Sequence, residues 1–169
     1  MFAGLGSQRR RDKPALTPIV LNGPTKDRSM LLFRSPSPRQ LSLGLAVLRI
    51  AVGAIFIRHG AQKLFTFGFA GVTGAFTQMG VPLPGVTGPF VALLEFFGGI
   101  ALVIGLLSRL FALGFAIDML VAILLVQLKR GFSSYELEFL LLGSSLAIFL
   151  AGAGGLSVDA LLARRNAKV

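Results

Sequence analysis

The stretch from Leu41 to Phe65, LSLGLAVLRIAVGAIFIRHGAQKLF, decides the fold class. From Leu41 to Ile57 it is apolar except for Ser42 and Arg49, and it then turns densely polar at Arg58, His59, Gln62 and Lys63. A helix of about 20 apolar residues crosses the hydrocarbon core of a bilayer, so this stretch reads as a transmembrane span with a polar end. The rest of the chain agrees. Of 169 residues, 54% are hydrophobic and only 14% charged, whereas globular domains carry about 25% charged residues. The apolar residues lie in long blocks, and an ordinary soluble domain is excluded.

Working outward, further spans read at Pro89 to Leu107, about Arg109 to Leu128, and Tyr135 to Gly152. Pro89 suits a first helical turn, where its missing N–H is unpaired anyway. Ser134, just before Glu136, is a candidate N-cap for the last span. Between the first two spans, Thr66 to Gly88 carries no charge and is broken by Gly and Pro. It reads as a segment in the interface, with Pro82 and Pro84 resetting the chain. Short connections make antiparallel neighbours, which gives an all-α membrane protein with four helices in an up-down bundle.

Residues 1–40 are rich in Pro, Ser and Arg and read as a disordered basic tail, with Met30 a candidate alternative start. Residues 163–169 form a second basic tail after a domain at 41–162. The net charge of +10 is concentrated at these ends, which is membrane topology rather than a nucleic-acid face. With the N-terminus inside, twelve cations fall on the cytoplasmic side (eight before Leu41, then Arg109, Arg164, Arg165 and Lys168), against Lys63, Lys129 and Arg130 opposite. Both termini are therefore expected in the cytoplasm.

Zero Cys and a single His exclude disulfides, thiolate metal sites and a bis-His haem within the chain. No metal site is expected, nor a covalently bound cofactor. The informative residues are charges within spans, since each costs about 2.5 to 3.5 kcal/mol at a helix centre and calls for a partner. At 1.5 Å of rise per residue, Arg49 lies about 12 Å and Asp118 about 13.5 Å from the inner side, so the two are expected to form a structural ion pair near mid-membrane. Nearer the outside, Arg58, His59, Gln62 and Lys63 meet Glu95 and Glu138. Glu95 shares a face with Gly98 and Gly99, and Asp118 with Gly114 and Ala122, small residues that admit a neighbouring backbone or a long cation. Buried ion pairs can serve only to fix helix rotation. The outer cluster, with its His, cations, amide and carboxylates under an uncharged aromatic loop, has the makings of a ligand or proton-relay site.

The order of these elements resembles the DoxX family. The HG-x-QK-L end of the first helix (His59, Gly60, Gln62, Lys63, Leu64), the GVPLPG loop, the second helix with Glu95, Gly98 and Gly99, and the terminal GGLSVD segment with Asp159 carry the resemblance across Leu41 to Leu162. It implies a small four-helix, multi-pass protein of the bacterial inner membrane, linked to quinone-dependent redox systems as a subunit or partner of an oxidoreductase. On that reading the outer cluster would take a quinone-like ligand, electrons would come from a protein partner, and the chain would have no complete active site of its own. Two other readings stand: an accessory or assembly subunit without chemistry, in a complex or homo-oligomer, and a proton-linked small-solute transporter, disfavoured because no internal repeat is visible.

Overall fold

The computed structural model describes residues 35–128 and 131–167, which are helical with short connections and contain no strand. The readings for residues 1–34, including Met30, and for Lys129, Arg130 and Lys168 lie outside the described residues.

Helix α1 (Pro38–Ala61) starts three residues before the expected Leu41 because Ser37 caps it. The Ser37 side chain accepts from the Gln40 N–H, and the Gln40 side chain accepts from the Ser37 N–H, which satisfies two otherwise orphaned donors. The helix runs on through a π-helical turn, Gln62–Phe67, to Gly68, whose φ of +63° redirects the chain. Helix α2 (Gly68–Gln78) comes next. It corrects the expectation of a broken segment over 66–88. Pairing its backbone groups with one another spares them the cost of an interface poor in water, so even this Gly-rich segment coils as far as Gln78, before the turn at Gly80.

Helix α3 (Pro84–Leu93) begins at Pro84, with Pro89 inside it rather than at its start. Pro84 meets the N-terminal requirement one turn earlier, and the Thr87 hydroxyl donates to the carbonyls of Pro82 and Leu83. A π-helical turn, Leu94–Gly98, joins α3 to α4 (Gly99–Ile104). After a tight turn at Gly105, α5 (Ser108–Val121) extends through a third π-helical turn, Ala122–Gln127. Then come α6 (Glu136–Ala151) and α7 (Val158–Asn166). Ser134 does not cap α6; its hydroxyl donates to the carbonyls of Gln127 and Gly131 and closes the preceding turn instead.

Three runs, Pro38–Gln78, Pro84–Ile104 and Ser108–Gln127, are long and apolar enough to cross a membrane. Helix α6, at 16 residues, falls short of the usual 20 and packs along α5. Neighbouring runs are antiparallel. Gly53 of α1 meets Gly99 and Val103, while Gly60 meets Glu95 and Phe96; Gly98 meets Phe111 and Phe115, while Gly114 meets Leu94. Helices α1 and α5 therefore run the same way, and their rings Phe56 and Phe115 stack at 3.8 Å in the middle of the core with Val52, Leu102, Ala112, Met119, Leu141 and Ile148.

One end of the bundle is tied by the terminal segment. Asp159 accepts from the N–H groups of Leu107 (2.8 Å) and Ser108 (2.9 Å), the first orphaned donors of α5. Its own N–H donates to the Gly105 carbonyl, and Ser157 caps α7 by accepting from the Ala160 N–H. Arg49, 2% exposed, donates to the carbonyls of Leu156 (2.6 Å) and Leu102 (3.4 Å). Its guanidinium fills the space a side chain at Gly105 would need, and the φ of +78° there also favours Gly.

Candidate functional site

Toward the opposite end, α1, α3, α5 and α6 enclose a cavity of about 730 Å³. The periodicity of each helix decides which residues reach it. Phe56, His59 and Lys63 come from one face of α1 and its extension, and Val91, Leu94 and Glu95 from one face of α3 and its extension. On the α5 run, Gly114, Asp118 and Ala122 share a face. Glu138 and Leu141 of α6 close the far side, with Phe76 and Met79 of the α2 region above.

Inside, the Lys63 ammonium donates to Glu95 Oε2 at 2.5 Å, the one ion pair among the described residues. Glu95 is 3% exposed and has Lys63, His59 and Asp118 as its electrostatic neighbours. Asp118 in turn faces Glu95 and Lys63, and its Oδ2 is buried without a hydrogen-bond partner among the described residues. Leaving such an atom unsatisfied costs about 1 to 3 kcal/mol, so the site offers an acceptor to a donor from a ligand, or a place for a proton shared with Glu95. At the rim, the Gln127 amide donates to Glu138 Oε1 at 3.4 Å.

The glycines explain why Lys63 and Glu95 meet. Gly60 sits against the backbone of Glu95 and Phe96 with no room for a Cβ, so α1 touches the Leu94–Gly98 turn directly. Lys63, one turn farther along α1, is then beside Glu95. The three π-helical turns carry the rest of the arrangement. Each adds a residue to its turn and rotates the helix beyond it, and each brings a polar side chain to the cavity: Lys63, Glu95 and Gln127.

Of the residues singled out from sequence, His59, Lys63, Glu95 and Glu138 line this cavity. Arg58 is exposed and Gln62 half-buried, and neither is among the lining residues. The expected Arg49 and Asp118 pair is not formed. Helices α1 and α5 are parallel and in register at the Phe56 and Phe115 stack. Arg49 is seven residues before Phe56 and Asp118 three after Phe115, so about 15 Å of axial rise separates them. The two terminal nitrogens of Arg49 donate to backbone carbonyls at the Asp159 end, its Nε being buried without a partner among the described residues, and Asp118 belongs to the site. Gln127 is the lining residue that sequence reasoning passed over. A polar amide at the end of an otherwise apolar run, AILLVQ, was its signal.

Comparison with known proteins bears on this arrangement. Residues 44–128 match the sequence profile of the DoxX family, and residues 89–169 match a second profile, TQO small subunit DoxD. The chain is 32% identical over 123 residues to the Bacillus subtilis (strain 168) protein named "Putative oxidoreductase CatD", covering 72% of this chain and 88% of that one. It is 35% identical over 129 residues to "Inner membrane protein YqjF" of Escherichia coli (strain K12), covering 73% and 95%. No solved structure matches.

Proposed function

The chain belongs to the DoxX family and is a multi-pass inner-membrane protein, and from that premise we infer that it is the membrane component of a quinone-linked oxidoreductase system, its cavity holding the quinone head group. The observation that carries this reading is the convergence of three π-helical turns on one cavity that is apolar except for Lys63, Glu95, Asp118, His59, Gln127, Glu138 and Thr87. Ligand sites of this kind combine apolar walls with a few placed polar groups. The name of one relative, "Putative oxidoreductase CatD", and the description of the second matching profile, TQO small subunit, support it from outside the structure.

The chemistry assigned to the residues is modest. Lys63 and His59 donate hydrogen bonds to a quinone carbonyl, and the rings of Phe56, Phe76 and Phe111 flank a flat head group. Glu95 and Asp118 face one ammonium between them, so their site accommodates a proton that can pass to or from the ring oxygen. Electrons come from a redox partner. In this reading α6 is a fourth, short span, and the twelve-to-three cation asymmetry puts both termini in the cytoplasm and the cavity in the outer leaflet. Purification in mild detergent, with extraction of lipid-soluble cofactors and identification of accompanying proteins, tests the proposal. Near-stoichiometric quinone that is lost in Glu95→Gln and His59→Ala, with the bundle intact, is the expected result.

A second reading, a non-catalytic accessory subunit, draws on the other end of the molecule. There the hydrogen bonds of Arg49 and Asp159 all go to backbone groups that join helices. A reproducible complex that never contains quinone would favour it.

A further inference from the structure

The cavity does not stop at its polar residues. On α5 the lining continues from Asp118 through Ile117, Gly114 and Phe111 to Leu110. That is eight residues, about 12 Å of helix. Across from it stand Phe90, Val91 and Leu94 of α3 and its extension. Beyond Asp118, no charged side chain among the described residues lines this part. Gly114 contributes no side chain, and the Leu94 side chain packs against it, close to where a Cβ at 114 would lie.

The same residues face outward. Phe90 and Leu110 are each 62% exposed and Ile117 is 55% exposed although all three line the cavity. Their apolar surfaces lie on membrane-crossing runs, where the surrounding medium is lipid. Helix α3 packs on α2, while α5 packs on α4, on α6 and, through Leu94 and Gly98, on the extension of α3, so a shallow groove above that contact is where the lining residues reach the bilayer.

We propose that the head-group site opens sideways to the bilayer, and that the apolar tail of a prenylated quinone lies in the groove between α3 and α5 that runs from Asp118 to Leu110. This rests on the quinone reading above and extends it from the ring to the tail and the route of entry. A ligand entering here leaves the membrane only by its head, so its tail exchanges lipid contacts for packing against Leu94, Phe111 and Ile117 without crossing water. In such a medium the gain comes from close packing rather than from hydrophobic transfer, so groove shape decides it.

The test uses the full chain in lipid nanodiscs with a ubiquinone analogue whose tail carries a photoactivatable diazirine, mapped by mass spectrometry with and without excess unlabelled ubiquinone. Labelling of the Phe90–Leu94 and Leu110–Ile117 faces that is abolished by competition supports the proposal. So does a drop of roughly tenfold in that labelling for Ile117→Trp, a rim change that need not disturb the core, with binding of tail-less 2,3-dimethoxy-5-methylbenzoquinone within twofold of wild type. Competed labelling confined to other surfaces, such as Phe76 and Met79, overturns the groove and leaves the head site standing. If neither quinone binds specifically to the wild type, the quinone reading itself fails and the groove with it.

Discussion

Gly60 lies against the backbone of Phe96 so closely that no Cβ fits between them, and this single contact brings Lys63 within 2.5 Å of Glu95. The obstacle is main chain, not a flexible side-chain tip, so it cannot be relieved by a rotamer change. Gly60→Ala is expected to push α1 from the Leu94–Gly98 turn and lower stability by about 1 to 3 kcal/mol, the usual range for overpacking. Thermal unfolding in detergent checks the loss. Gly74→Ala, at a position with open space around it, is the comparison and should change little beyond helix propensity.

The ion pair itself should show the asymmetry of buried charges. Lys63→Met removes the one cation hydrogen-bonded to Glu95 and leaves two carboxyls facing each other, an expected loss of about 3 to 5 kcal/mol. Lys63→Met combined with Glu95→Gln removes both charges. It should recover a large part of that stability, because much of the loss is the uncompensated carboxylate and not the missing attraction. Melting curves of the single and double variants decide this, and additive losses would show that the pair is not the source.

What the sequence disclosed and what it withheld divide along physical lines. Span-length apolar runs are legible because a bilayer demands them, and Glu95 was legible because a carboxylate in such a run requires a cation one helix away. Helical spacing placed Asp118 on a face with Gly114 and Ala122, and all three line the cavity. Depth counting failed for Arg49 and Asp118. It fixes neither helix register, set here by Phe56 on Phe115, nor the fact that a long guanidinium can reach backbone carbonyls with its terminal nitrogens instead of an acid. The π-helical turns were not legible either. They arise from how three helices accommodate one another around the cavity, and no propensity scale encodes that. The resemblance pointed to Asp159 without saying what it does; the structure gives it the N-terminus of α5.

The proposed orientation rests on the cation count and has a direct test. Reporters fused before Leu41 and after Val169 should both read cytoplasmic, and one at Gly74 should read periplasmic. Because α6 is only 16 residues, about 24 Å at helical rise, the C-terminal reporter carries the weight. A periplasmic C-terminus would mean that α6 does not cross, and would leave three spans.

The two polar regions of the molecule should separate cleanly when a carboxyl at each is neutralised. Asp159→Asn keeps one acceptor but turns an amide donor toward the N–H of either Leu107 or Ser108, so the α5 cap is lost at a cost of about 0.5 to 2 kcal/mol. Neither Asp159 nor the residues whose amides it holds, Leu107 and Ser108, line the cavity, which reaches no closer than Leu110, and quinone retention by the folded fraction should match wild type. Asp118→Asn changes the site itself. Its buried Oδ2 already lacks a partner, so the amide removes a charge near Glu95 and is expected to be tolerated or mildly stabilising. It also removes a group that can hold a proton beside the ligand, and retention should fall as it does for Glu95→Gln and His59→Ala. Measuring bound quinone per folded protein against melting temperature places the four variants on two axes. The reading stands if Asp159→Asn moves only along stability and the other three move along retention; equal retention in all four and in wild type would remove the site.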